Sequence, residues 1–281
     1  MRDKLQDLLV QLRFHGMAAA HDAEIERAER EAAPASQLLY RLLCEEAASR
    51  RQRSLAYRLD QARLPWPWTL DTFPFERQPG VNKAQIKSLA GLEFLRRADN
   101  VLLIGPPGTG KTGLAVGLLR EACLNGYRSR FYSAQALLDE LYASLADRST
   151  ARLLNRLSLM QVLLIDELGY LSLKPEQVNA FFRLMDARYN RVSTIITTNL
   201  ELSDWYELFQ KKPLVDALLD RLQHHCITIR IDGPSLRRPQ PPPPVQPASD
   251  NPPAQDAAAV KPPKPSPHAT PKRARPPETK L

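Results

Sequence analysis

The chain has 281 residues, enough for one substantial domain and a smaller one, and its hydrophobic fraction of 43% supports a real core. No apolar run approaches the length of a bilayer span, the charged N-terminus is no secretory signal, and the scattered Cys44, Cys123 and Cys226 make neither a disulfide framework nor a zinc site, so a cytoplasmic protein without membrane contact is expected. A net charge of +8 is compatible with a nucleic-acid partner without demanding one.

Leu5, Leu8, Leu9 and Leu12 recur at helical spacing and predict a first helix stopped by Gly16. A more charged helix follows over 18–32. Pro34 marks a boundary and Ser36 an N-cap for a long helix over 37–63, with Leu38, Leu39, Leu42, Leu43, Leu55 and Leu59 on its apolar side. Its second half carries Arg50, Arg51, Arg53 and Arg58, which read either as a solvated face paired with Glu45, Glu46 and Asp60 or as a surface that contacts phosphates. Residues 1–64 thus form a small all-α N-terminal domain. Pro65-Trp66-Pro67-Trp68 opens a linker over 65–80, which Phe73 and Phe75 tack onto the next domain by simple packing. A helix over 83–97 leads into that domain, residues 81–233.

Val101 to Ile104 form the short apolar run of a strand buried on both faces. The next eight residues, Gly105-Pro106-Pro107-Gly108-Thr109-Gly110-Lys111-Thr112, satisfy G-x-x-x-x-G-K-[ST] at every defined position, and a helix opens at Lys111-Thr112 and runs on over 114–125. Strand, glycine-rich loop and helix N-terminus make a phosphate cradle. Residues Gly105 to Gly113 would bind ATP, with the loop's backbone amides and the Lys111 ammonium on the β- and γ-phosphates and the Thr112 hydroxyl on Mg²⁺.

Beyond the loop, strands over 130–133, 162–165, 194–198 and 227–231 alternate with helices over 135–146, 151–159, 175–190 and 214–224. Such alternation predicts an α/β P-loop NTPase fold, a parallel sheet with helices on both faces. Asp166-Glu167 ends a strand 55 residues after Lys111, at the sheet edge where open α/β folds bind ligands. Asp166 is suited to orient Mg²⁺ and Glu167 to polarise the attacking water. Asn199 ends the following strand and can donate to the γ-phosphate, with an ordinary turn asparagine as the plainer alternative. Arg221 edges the stripe of Leu214, Val215, Leu218, Leu219 and Leu222. From there it can enter a neighbouring subunit's site as an arginine finger, or pair with a carboxylate on its own surface. From Pro234 onward lie sixteen of the 25 prolines and eight Lys/Arg against three Asp/Glu, which predicts a disordered, basic, Pro-rich tail over 234–281 and no helical lid after Gly233.

GPPGTGKT, LLIDELGYL, the strand ending TTN and DRLQHHCITIRIDGPSLR together resemble the IstB/DnaC branch of the AAA+ ATPases. LRFHGM, the Glu45-Glu46…Arg50-Arg51 stretch and the linker with Phe73 and Phe75 resemble the IstB members, ATP-dependent helpers of insertion-sequence transposition. The likeness runs from about Leu5 to Arg238. It implies an N-terminal helical domain for assembly and partner contacts, and an ATPase that forms homo-oligomers on duplex DNA with little regard to sequence. It also implies that the assembly presents target DNA and stimulates a cognate transposase. Arg237 stands at a position that could act as a second phosphate-sensing arginine, with a plain basic tail residue as the alternative, whereas Gly113 and Leu236 stand where many relatives carry a larger or aromatic residue. A DnaC-like replicative helicase loader is the alternative with the same core, and the N-terminal residues favour the helper. A P-loop small-molecule kinase is the distant alternative, because Glu167 and Asn199 suit attack by water better than transfer to an acceptor.

Overall fold

In the computed structural model, which describes residues 2–169 and 171–237, the strands join into a wholly parallel sheet. β1 (Asn100–Ile104), β2 (Ser129–Ser133), β3 (Val162–Asp166), β4 (Ser193–Thr198) and β5 (Cys226–Arg230) stand in the order β2-β3-β4-β1-β5. β1, β3 and β4 are buried along their whole length, as their unbroken runs of Val, Ile, Leu and Thr require of strands with helices on both faces. The pairings Ile104↔Thr198 and Ile165↔Ile196 bring the C-terminal ends of these three strands nearly level. The loops that leave that edge build the site.

The N-terminal region carries α1 (Arg2–Gln11), α2 (His15–Glu31) and α3 (Ala35–Ala62). Gly16 does not stop the first of them. Arg13, at φ 60°, turns the chain instead, and Gly16 lies in the first turn of α2. Its N–H donates to Glu46 Oε2 at 2.7 Å, and a Cβ there would lie 2.7 Å from Glu46 Cα. Glycine is needed for the close approach of two helices. The Glu46 carboxylate in turn satisfies the open N-terminus of α2, where free amides and the helix dipole favour an anion. Arg50 and Arg53 reach it at 2.7 and 3.3 Å, and the Arg50 hydrogen bond is the main cause holding its carboxyl below the usual range. Arg58 donates to the Cys123 carbonyl at 2.9 Å. Arg50, Arg53 and Arg58 therefore have structural partners within the chain, and the pairing of Arg50 and Arg53 follows the solvated-face alternative for Glu46.

Three smaller expectations also change. Pro34, not Ser36, occupies the N-cap of α3. Of the leucines in the two N-terminal stripes only Leu9 and Leu42 are buried, while Leu5, Leu8, Leu12, Leu39 and Leu43 stay exposed. The helix over 83–97 is broken by Leu92, at φ 60°, into α4 (Lys83–Ala90) and α5 (Glu93–Arg96). Leu92 is buried, so apolar packing offsets the cost of its left-handed backbone.

The remaining helices are α6 (Lys111–Leu124), α7 (Ala134–Ala146), α8 (Thr150–Ser158), α9 (Pro175–Arg188), α10 (Trp205–Phe209) and α11 (Lys212–His224). Alternate residues of β1 feed two cores, as the period of a strand dictates. Val101 and Leu103 pack with Leu114 and Leu118 of α6, while Leu102 and Ile104 join the cluster of Leu137, Phe181, Trp205 and Leu218.

Substituting Gly16→Ala should lower stability by about 1–3 kcal/mol, because its new methyl overlaps backbone atoms of α3. Thermal unfolding measures this. An unchanged Tm would show that α2 and α3 do not need the contact.

Candidate functional site

The loop after β1 is pinned at its root. Gly105 N–H donates to the Thr198 carbonyl at 3.2 Å, and Ile231 N–H donates to the Ile104 carbonyl at 2.8 Å. Gly108 and Gly110 take φ values of 83° and 92°, which only glycine adopts at little cost and which let the loop curl over the start of α6. Among the described residues no side chain caps α6, so its first amides and its dipole face the concavity of the loop. Lys111 Nζ donates to the carbonyls of Gly105 and Pro106 at 2.6 and 2.8 Å. Burial pushes its pKa below the ordinary lysine value, and the charges of Asp166 and Glu167 oppose that shift.

At the end of β3, Asp166 accepts a hydrogen bond from Thr112 Oγ1 at 2.9 Å and one from Thr197 Oγ1 at 2.6 Å. Burial is the main cause that raises the Asp166 pKa, and the two hydroxyls oppose it. Thr112 and Asp166 thus meet as a pair of hard oxygen donors, the set that suits Mg²⁺. Glu167 follows in a left-handed conformation, φ 60°, with its side chain exposed to water. Asn199 lines the same cavity, and its Nδ2 is buried without a hydrogen-bond partner among the described residues. Lys111, Thr112, Asp166, Glu167 and Asn199 all line one cavity of about 660 Å³, a volume that accommodates a nucleotide.

The other end of this cavity was not legible from spacing. Trp68, Thr69, Thr72 and Phe73 of the linker form its wall. A Cβ on Gly110 would lie 2.7 Å from the Phe73 ring, and one on Gly113 would lie 3.5 Å from Trp68. The small residue at 113 therefore faces an aromatic ring brought by the linker. The density of Trp, Phe and Pro between Pro65 and Phe75, just ahead of the P-loop domain, is the signal that points to a wall.

Residues 234–237, which composition assigns to the tail, pack against the loop. Leu236 N–H donates to the Gly108 carbonyl at 2.8 Å, and Gln78 Nε2 joins the carbonyls of Thr109 and Pro234 at 3.0 Å each. This strap carries Arg237 into the cavity. The expectation of a disordered tail over 238–281 lies outside the described residues.

Arg221 is elsewhere. It pairs with Asp186 at 2.8 Å, stands over the Tyr189 ring and borders a small crevice that includes Asn100 and Thr194, near the first residues of β1 and β4. The cavity takes its residues from the opposite ends of the strands. With a five-residue β1 spanning roughly 16 Å, Arg221 does not share the cavity of its own chain.

A family model described as IstB-like ATP binding protein matches residues 7–241. The chain is 39% identical over 234 residues, 83% of its own length and 88% of the relative's, to the ATP-binding protein of insertion sequence IS21 from Pseudomonas aeruginosa. It is 34% identical over 237 residues, 84% and 94% of the two lengths, to that of insertion sequence IS5376 from Geobacillus stearothermophilus. Among solved structures it is similar to the DnaC helicase loader, at 26% identity and a TM-score of 0.52, over 61% of this chain and 100% of that one. It shares the fold of the replication initiator DnaA bound to AMPPCP and single-stranded DNA, at 22% identity and a TM-score of 0.50, over 60% of this chain and 51% of that one.

Proposed function

Because the chain belongs to the family of IstB-like ATP-binding proteins and is an AAA+ ATPase, we propose that it works as a helper of insertion-sequence transposition. In this reading it forms homo-oligomers on duplex DNA in the cytoplasm, presents that DNA as a target and stimulates a cognate transposase. The observation that carries the chemistry is the meeting of Lys111, Thr112, Asp166, Glu167 and Asn199 in one cavity. The relatives' place in insertion sequences supports the biological role. No helix among the described residues is long and apolar enough to cross a membrane.

The adenine base would lie against the Trp68 and Phe73 wall, with the phosphates on the loop amides and Lys111. Thr112 and Asp166 would hold Mg²⁺, which supplies positive charge beside the phosphates. Glu167, exposed at the cavity, takes a proton from water as the water oxygen bonds to the γ-phosphorus. The bond from that phosphorus to the bridging oxygen breaks, and ADP leaves with the electron pair. Asn199 donates its free Nδ2–H to the γ-phosphate or the attacking water, and Arg237 adds a second cation. Residues 1–64 serve assembly and partner contacts, residues 65–80 cover the base, residues 81–233 with the strap 234–237 hydrolyse ATP, and the basic segment over 238–281 adds auxiliary attraction to DNA.

Duplex DNA of unrelated sequences should stimulate ATP hydrolysis. Binding should weaken by about 10³-fold or more between roughly 50 and 200 mM salt if six or more phosphates are contacted. Affinity that stays flat with salt, together with hydrolysis indifferent to DNA, would overturn the DNA-bound reading. The likeness to DnaC covers 61% of the chain and leaves a helicase as the rival client. Strand transfer by the transposase, measured with and without this protein, separates the two.

A further inference from the structure

We propose that Thr197 is the residue that positions the acidic pair Asp166-Glu167 for hydrolysis, through one hydroxyl that serves both. The inference rests on the assignment of Glu167 as the base.

The ladder between β3 and β4 runs from Val162↔Ser193 to Ile165↔Ile196. One residue further on, the Thr197 side chain takes over from the backbone. Thr197 is fully buried. Its Oγ1 accepts the Glu167 N–H at 2.9 Å and donates to Asp166 Oδ1 at 2.6 Å. Its carbonyl accepts the Leu168 N–H at 2.9 Å, so a single residue of β4 grips three consecutive residues of the turn.

The turn needs gripping. Glu167 is held at φ 60°, a conformation that a residue with a Cβ keeps only when its surroundings impose it. Glu167, the first residue beyond β3, is thereby thrown out of the strand's line, and its carboxylate is delivered to the cavity. A hydroxyl has a single proton. Because Oγ1 accepts from the Glu167 amide, that proton is free to point at Asp166, and the two acidic residues are oriented against one another by the same atom. Thr112 reaches Asp166 from the phosphate loop, so the chain of contacts runs from Thr112 through Asp166 and Thr197 to the backbone of Glu167.

Valine has nearly the shape of threonine but can neither accept from Glu167 N–H nor donate to Asp166. Serine keeps both bonds and loses only the methyl. The test compares Thr197→Val and Thr197→Ser with the unaltered full-length protein, reading steady-state kcat and, separately, affinity for a fluorescent ATP analogue. Thr197→Val should lower kcat by about 10²-fold, the effect of a small misplacement of a catalytic group, while nucleotide affinity stays near that of the parent. Thr197→Ser should restore most of the turnover. Parental turnover in the valine variant, or an equal loss in valine and serine variants, would overturn the inference. Should valine not fold, Thr197→Cys, close in size and a weak donor, makes the same comparison and should be slowed more than serine. Glu167→Gln run alongside separates the two ideas. If that variant hydrolyses normally, the assignment of the base fails. If it stalls and Thr197→Val does not, only the role of Thr197 fails.

Discussion

Lys111→Ala and Arg221→Ala proteins, each nearly inactive alone, should regain ATP hydrolysis when mixed in the presence of duplex DNA. Arg221 borders the starts of β1 and β4, whereas the phosphate loop follows the end of β1, so a subunit cannot use its own Arg221 at its own phosphates. The side chain is 34% exposed and held by Asp186, itself 63% exposed. An ion pair this open to water is worth about 0.2–1 kcal/mol, little enough to be exchanged for a γ-phosphate presented by a neighbour. Loss of such a finger would cost about 10³–10⁵-fold in turnover. Lys111→Ala removes the buried cation beside the loop carbonyls and should abolish tight ATP binding while the fold remains. Mixed assemblies create interfaces at which one subunit contributes an intact Lys111 and the next an intact Arg221. Recovery should depend on total protein concentration. Mixed assemblies that form and yet recover nothing would confine Arg221 to its pairing with Asp186 and Tyr189.

Replacing Glu167 by glutamine should lower turnover by about 10²–10⁴-fold and leave ATP binding intact. The substitution conserves shape and removes only the ability to take a proton. Lys111, Thr112 and Asp166, which would hold the phosphates and Mg²⁺, are untouched. The protein should therefore collect on DNA with ATP, not ADP, in its sites, as nucleotide extraction from the isolated complex would show. Near-parental turnover would move the base to another group.

The sheet and most of the residues that line the candidate site's cavity were legible because their signals are local. Val101 to Thr112 contains a strand, an anion loop and a helix start within twelve consecutive residues, and Asp166, Glu167 and Asn199 are placed by the ends of strands that declare themselves through unbroken apolar runs. What was not legible depends on surfaces that meet from far apart in the chain. Gly16 reads as a helix stop until α3 is laid against it, thirty residues later. Trp68 and Phe73 read as packing until the linker is folded over Gly110 and Gly113. Residues 234–237 read as tail by composition, although Leu236 and Gln78 bind them to the loop. Arg221 is the intermediate case, since its exposed edge position was readable but its Asp186 partner belongs to another helix.

The separation of Lys111 and Arg221 to opposite edges of the sheet gives the subunit a direction. If Arg221 completes a neighbour's site, the contact is head-to-tail, with a different surface on each side. Such a contact does not end with a pair. It continues until the rotation between copies closes a ring or runs on as a helical filament. An open filament always has one terminal cavity that no finger enters, so it holds one fewer complete site than it has subunits. Its two tips then differ in chemistry, one offering a bare nucleotide pocket and the other an unused arginine. Short assemblies would hydrolyse less ATP per subunit than long ones, and growth and loss of copies would proceed unequally at the two ends.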